Sequence, residues 1–379
     1  MRDDESAREY CRKKNMLFLW NCAVTLVFLL IMVFGFSIPL RKFSTQLTEN
    51  SVIVISLYFF LFYCLYVLST FGLKYYEEVV LERKLNGVQR DFLSWTRQML
   101  KREGLIFLGL LPAVQMIYFF LETSSGWWWF KLALLFAAGV IFFTELLPHY
   151  CLPFFCRYRP LEDKELAKRL TAMGEKVKFR FENVYVMEQH GRSPAVVLFG
   201  IGPVWKLMLG DTMMEYAKEE IEVVVAGEIA YHYFQHGWKL IGLQAGALAA
   251  VFLVINIIFE PVTVFFGFIL PYDIATLPLF AVMFFTGFFI FSLIMPNLRN
   301  RMEREADIFS LQMTQSPDAF VSLLIRQEQE NLYNPSPYNL LRMSGRQSPV
   351  TQRMVIAQDY AQSLRAEKHE KKPPEEEAR

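Results

Sequence analysis

Net charge and cysteine are both nearly missing from this chain. Its 39 Lys and Arg residues face 38 Asp and Glu, a formal balance of +1. That excludes a general nucleic-acid role, which needs a clustered positive field. The five cysteines are Cys11, Cys22, Cys64, Cys151 and Cys156. Two lie in apolar runs, and none builds the framework of a secreted disulfide scaffold. Cys151 and Cys156 near His149 fit no standard zinc module and read as packing beside a membrane. There is no internal repeat. No A-x-A-like cleavage site follows the first apolar run, which is too long for a signal segment. What abounds is apolar: 54% of residues are hydrophobic and 16% aromatic, against 20% charged, with a mean hydropathy of +0.24. Those values are too apolar for an ordinary soluble domain and too charged for a pure membrane bundle. Spans alternating with polar segments satisfy both.

A helical span takes about 20 mostly apolar residues. Residues 16–36, 51–73, 104–122 and 128–147 qualify, and two more spans run from about 239 to 259 and 276 to 295. Lys131 lies one turn into the fourth, close enough to the interface to snorkel. Between the last two, "PVTVFFGFILPYD" is short and bracketed by prolines, so 262–270 reads as a re-entrant or interfacial piece. Arg2, Arg8, Arg12, Lys13 and Lys14 precede the first span, and Lys74, Arg83, Lys84, Arg90, Arg97, Lys101 and Arg102 fill the 74–103 loop. The opposite loops carry only Arg41 and Lys42. The positive side therefore puts both termini and every large polar segment in the cytoplasm. Compact length and short outer loops lean toward a bacterial inner membrane.

The chain thus divides into a cytoplasmic N-terminal segment (1–15), four spans (16–147), a cytoplasmic domain (148–238), two spans (239–295), a second cytoplasmic part (296–365) and a charged tail (366–379) expected to be disordered. In the soluble part "ELAKRLTAMGEKVKF" has a helical period. "ENVYVMEQ", "AVVLFG" and "WKLMLGDTMM" read as short strands, with turns at Gly191, Gly202 and Gly210. "NLYNPSPYN" is a proline-rich loop. The fold class is mainly α: a polytopic membrane helical bundle of about six spans with a small α+β cytoplasmic domain.

The most informative stretch is "VVVAGEIAYHYFQHGWKL", on a helix expected over 219–240. Residues i and i+4 share a helix face. In H-E-x-x-H two imidazoles use that spacing to grip zinc while the Glu polarises metal-bound water. Here the pattern reads Gly227, Glu228 and Tyr231. The chain resembles the integral-membrane zinc metallopeptidases of the CAAX prenyl protease type I and HtpX kind, which are gluzincins. The resemblance puts Gly227 and Tyr231 at the two zinc histidines and Glu228 at the general base. His236 falls on a further histidine that many members carry. "RMEREADIFSLQ" resembles the E-x-x-A-D segment, with Glu303 at the third zinc ligand and Asp307 at a supporting carboxylate. "PLEDKELAKRL", "VYVME…FGIG…LMLGDTMM", "SGWWWF" and "VVLERKLNG" resemble further landmarks. "SPVTQRM" resembles the late H-P-x-x-x-x-R-I stretch, keeping Arg353 but carrying Gln347 where a His is usual. Pro194-Ala195 stands where members have Asn-Ala, which weakens pairing of a substrate strand there. The likeness runs over roughly 51–365. It implies helices around an intramembrane chamber, with the degenerate site facing inward.

Glycine offers no ligand, and a tyrosine phenol ionises only near pH ~10. Two other i,i+4 pairs exist on the helix. His232 with His236 is rotated about 140° from the family's face. Glu228 with His232 could join Glu303 if a one-residue bulge lay upstream. In those pairs the neighbouring residue is Ile229 or Tyr233, and neither is a base. Blander readings stand beside these. Glu228 could be a remnant carboxylate held by Arg353 or another cation, His232 and His236 wet polar tips, and Glu303 and Asp307 a solvated helix face. Three functions are compatible. The first is a pseudopeptidase without catalytic zinc, and so without a cofactor, that binds membrane-protein or lipidated peptide segments or partners an active protease. The second is an active zinc metalloendopeptidase with a displaced site of Glu228, His232 and Glu303. The third is a small transporter, against which the spans lack buried charges, with Glu145 the only hint. The expected partners also include membrane lipid, but no nucleic acid.

Overall fold

The structure is a computed structural model, and it describes residues 4–81, 83, 91–124, 126–146, 157–188, 196–201, 204–333 and 349–370. His149, Cys151, Cys156, Gly191, Pro194, Ala195, Gly202, Gln347, most of the proline-rich loop and residues 371–379 lie outside these, as do the side chains of Cys11 and Glu145. The chain forms two compact units, Met1–Gly139 with Leu243–Leu293, and Val140–Gly242 with Ile294–Arg379.

The first unit is helical. Helix α1 (Asp4–Ile31) passes through a π-turn (Met32–Phe36) into α2 (Ser37–Leu47), followed by α3 (Ser51–Tyr75), α4 (Phe92–Thr123) and α5 (Trp128–Ile141). Helix α8 (His236–Phe265) and α9 (Leu277–Thr314) belong to it in part. Asn50 and Asp91 cap α3 and α4, each accepting from backbone N–H groups of the first turn. Phe28, Tyr58, Phe62, Tyr118, Trp128, Phe252 and Phe280 form an aromatic core, while Leu68, Leu105 and Phe265 stand exposed. Apolar side chains facing both inward and outward mark a helix solvated by lipid.

Among the described residues five helices are long and apolar enough to cross a membrane: Arg12–Leu47, Ser51–Leu81, Phe92–Thr123, His236–Phe265 and Ile274–Thr314. The expected fourth span is a shorter apolar helix, Trp128–Thr144, which starts after a left-handed Gly126 (φ 79°). The 74–103 loop is helical over much of its length, because α3 runs on through a π-turn (Tyr76–Leu81) and α4 begins at Phe92. Residues 262–270 are part helix and part turn. Helix α8 continues past Pro261 to Phe265, turns at Gly267 (φ 78°) and buries Phe268 in the core. Ser37 donates to the Ala275 carbonyl and Arg41 pairs with Asp273 at 3.2 Å, pinning the next turn.

The spans do contain a buried charge. Glu103 accepts from Tyr63 Oη (2.9 Å) and Lys74 Nζ (2.8 Å), and Arg102 beside it pairs with Glu78 at 2.8 Å. Glu78 also accepts from Trp95 Nε1 at 2.8 Å. Every member of this network has a partner, as a buried ion pair requires; it holds α3 to α4.

The second unit is α+β. Its sheet has the order β1-β2-β4-β3, from β1 (Tyr158–Pro160), β2 (Arg180–Met187), β3 (Val196–Ile201) and β4 (Val204–Gly210). The β2/β4 pair is parallel and the other two are antiparallel. The expected 205–214 strand stops at Gly210, where a 3₁₀ turn (Asp211–Glu215) begins. Helix α6 (Lys164–Lys176) starts at an Asp163 cap and buries Leu166, Leu170 and Met173. A Cβ at Gly174 would meet the Phe179 carbonyl oxygen at 2.8 Å, so only glycine fits that contact. Helix α7 (Lys218–Tyr233) places Val225, Ala226 and Ile229 in the core, with Leu207, Leu311 and Ala357. Ser310 on α9 donates to the Val223 carbonyl at 2.8 Å. Helices α10 (Pro317–Tyr333) and α11 (Pro349–Glu370) complete the unit. Residues 366–370 of the supposed disordered tail continue α11, since Glu and Lys are good helix formers.

Candidate functional site

Helix α7 presents the degenerate motif. Glu220 reaches back to the Ala217 N–H at 3.1 Å, so one donor of the first turn is satisfied. The helix does not run to residue 240. It ends at Tyr233, Gln235 adopts a left-handed φ of 56°, and α8 starts at His236. A non-glycine residue there costs roughly 1 kcal/mol. In exchange the His236 side chain is 1% exposed, with Nε2 3.1 Å from Glu305 Oε2 and its ring stacked on Phe234 at 5.6 Å. His232 and His236 therefore sit on different helices, and the i,i+4 imidazole pair does not exist.

Gly227 is half-buried, and a Cβ built on it would meet no atom of the described residues within 4 Å beyond its own helix backbone. Beside it Glu228 Oε1 lies 3.6 Å from His232 Nε2, with the two side chains 31% and 25% exposed. That is too long for a hydrogen bond. The His232 ring packs on Trp205 of β4 at 5.0 Å, and Trp205 packs on Phe179 at 5.3 Å. The Tyr231 ring meets both His232 and His236 edge-on at 5.8 Å. His236 is thus no wet polar tip, whereas His232 is partly exposed.

The E-x-x-A-D segment lies on α9. Asp307 is buried and accepts two hydrogen bonds of 2.7 Å from Arg353 of α11, one from Nε and one from Nη2. Burial opposes the Arg353 charge, but the Asp307 carboxylate outweighs it and holds the guanidinium pKa above its usual value. Glu303, one turn earlier, adds its negative charge to both. Arg353 is therefore committed to Asp307, and the expectation that it holds Glu228 is not met. Asp307 is likewise no solvated face.

The structure brings Glu303, Asp307 and Arg353 into one electrostatic group, and Glu228 with His232 into another. Among the described residues no three His, Cys, Asp or Glu side chains form a group that could hold a metal ion. Helix α7 is α-helical throughout, without the bulge a displaced site requires. Sequence reasoning missed Trp205 and Glu305. Glu305 lies inside the same "RMEREAD", but nothing along the chain ties it to His236, 69 residues away.

A membrane helical bundle with a small α+β domain defines the class. Residues 3–157 match the family model "CAAX prenyl protease N-terminal, five membrane helices", and residues 160–348 match "Peptidase family M48". The chain belongs to the M48 peptidase family. It is similar to "CAAX prenyl protease 1" of Saccharomyces cerevisiae, 24% identical over 226 residues, which are 58% of this chain and 47% of that protein. It is also similar to "CAAX prenyl protease 1 homolog" of Arabidopsis thaliana, 24% identical over 168 residues, 44% and 38% of the two chains. The matches span half or less of these curated relatives. In fold it is similar to the crystal structure of S. mikatae Ste24p, with a TM-score of 0.69 and 20% identity over 94% of this chain and 90% of that one.

The family is normally zinc-dependent. The donor set on α7 does not fit zinc: glycine has no donor atom, a neutral phenol is a poor one, and Glu228 faces an imidazole.

Proposed function

We propose that this chain is a pseudopeptidase of the M48 family that binds membrane-protein or lipidated peptide segments, or partners an active protease, without hydrolysing them. One observation carries the reading. At the helix where the family grips zinc, Gly227 presents open space and Tyr231 a ring packed on two imidazoles. In this reading Gly227 and Tyr231 stand at the zinc histidines, Glu228 is a remnant general base, Glu303 a remnant ligand and Asp307 with Arg353 a retained support. No catalytic zinc is bound. In this reading the protein is an integral membrane protein with both termini in the cytoplasm, its compact length and short outer loops favour a bacterial inner membrane, and it contacts lipid and not nucleic acid.

Elemental analysis of the detergent-purified chain, with Glu303→Ala alongside, tests this. Zinc well below one ion per chain is expected in both. Stoichiometric zinc that disappears in the variant would overturn the reading and favour an active zinc metalloendopeptidase with a displaced site. For that alternative the observation in favour is the 3.6 Å approach of Glu228 to His232.

A further inference from the structure

The cations where α3 ends and α4 begins divide into two sets. Lys74 and Arg102 are committed inside the first unit, Lys74 to Glu103 and Arg102 to Glu78, each at 2.8 Å. Arg97 and Lys101 are exposed and have no acidic partner among the described residues. Asp91, on the same helix end, is spent as the cap, accepting from the Ser94 N–H at 3.1 Å. The network between the helices thus uses up the carboxylates and leaves two cations turned outward.

Their position along the helix says what they meet. Helix α4 has 32 residues, about 48 Å at a rise of about 1.5 Å each, whereas a hydrocarbon core is about 30 Å thick. The apolar run 104–122 fills that core, so Phe92–Glu103 carries the helix out of it. Leu93, Arg97, Lys101, Leu105 and Leu108 follow one another at helical spacings down one exposed face. Leu105 and Leu108 are 73% and 63% exposed and lie at the depth of acyl chains. Lys101 and Arg97 lie about 5 and about 10 Å beyond Gly104. Headgroups occupy the roughly 5–8 Å outside the core, and long cationic side chains reach them from either position.

We infer that Arg97 and Lys101 hold the phosphate of an anionic phospholipid whose acyl chains lie along Leu105 and Leu108. A guanidinium can grip phosphate through two parallel hydrogen bonds, and an ammonium adds a point charge. A lipid matches the whole face, apolar at one end and basic at the other, whereas an acidic protein segment matches the basic end alone. The inference rests on the reading of the chain as an integral membrane protein and names the lipid class it selects. It stands whether or not the second unit holds zinc.

The test equilibrates the full chain in detergent with equimolar phosphatidylglycerol and phosphatidylcholine and counts the lipids it retains by native mass spectrometry. Phosphatidylglycerol should be retained over phosphatidylcholine by about tenfold, since each cation near a headgroup contributes roughly fivefold and the two share one phosphate. Arg97→Gln with Lys101→Gln should bring the two lipids to within about twofold. Exchanging the cations, Arg97→Lys with Lys101→Arg, should keep most of the preference. Lys168→Gln with Lys176→Gln removes two exposed cations from α6 and should leave the preference unchanged. Equal retention by the wild-type chain, a preference that survives the first variant, or an equal loss in the α6 variant would each overturn the inference. So would hexaglutamate binding at Arg97 and Lys101 by a chain indifferent to lipid charge, which would assign the face to an acidic protein segment. Retention of neither lipid would overturn the membrane reading as well.

Discussion

Asp307 and Glu228 are both acidic residues at family landmarks, and they sit in opposite circumstances. Asp307 is 4% exposed and gripped by Arg353 through two 2.7 Å hydrogen bonds. Glu228 is partly open, has no Lys or Arg partner among the described residues, and neighbours the half-buried Gly227. The Asp307 contact ties α9 to α11, whereas Glu228 makes no comparable contact between helices among the described residues. Scaffold and chemistry are separable on one protein.

Breaking the Asp307 side should cost most. Arg353→Ala leaves a buried carboxylate without its partner, which costs about 3 kcal/mol. Glu228→Gln, an isosteric change with no partner to lose, should stay within about 0.5 kcal/mol. Denaturant unfolding of the purified protein in detergent compares the two. If both variants lose the same amount, the contrast between the two carboxylates fails.

The comparison can be sharpened by restoring ligands on the Glu228 side. Among the described residues no atom comes within 4 Å of a Cβ at Gly227, so the first atom of a side chain meets no clash there. The double substitution Gly227→His with Tyr231→His restores two ligands at i and i+4 around Glu228. It should take up about one zinc per chain and gain about 2.7 kcal/mol of stability at a hundredfold excess over the dissociation constant. Adding Glu303→Ala should remove most of that gain. A double variant that stays metal-free would mean that the helix no longer faces Glu303.

Much of this was legible in the chain, because the relevant signals are local. Apolar runs of span length, alternation in 182–189 and the amphipathic period of 165–179 each need only their own residues. The Gly-Glu-Ile-Ala-Tyr departure is likewise visible by inspection. What could not be read depends on distant partners. The end of α7 falls at Gln235, a residue without the glycine signature of a left-handed cap, because burial of His236 against Glu305 fixes the break. Strand β1 is three residues long and exists through its pairing with β2. The Glu103 network joins side chains 40 and 29 residues apart, so buried charge in the spans was invisible to hydropathy. Arg353 chose Asp307 over Glu228 across 46 residues of chain, including stretches with no pattern to follow.

The smallest effect belongs to a carboxylate exposed where Asp307 is buried. Asp163 caps α6, accepting from the Glu165 and Leu166 N–H groups at 3.0 Å, and pairs with Lys218 at 2.8 Å. The Lys218 hydrogen bond first, then the backbone N–H of Leu166, hold its pKa below the usual aspartate value. A lowered folded-state pKa stabilises above the unfolded value and is lost as pH falls through the folded one. Asp163→Asn keeps a cap acceptor but removes the charge. It should lower the melting temperature by about 1 °C at pH 7, and the difference should vanish on acidification below both pKa values. Melting curves of the two proteins between neutral and acid pH measure it. A deficit that persists in acid would assign the effect to the shape of the cap, and the charge of Asp163 would then contribute nothing to α6.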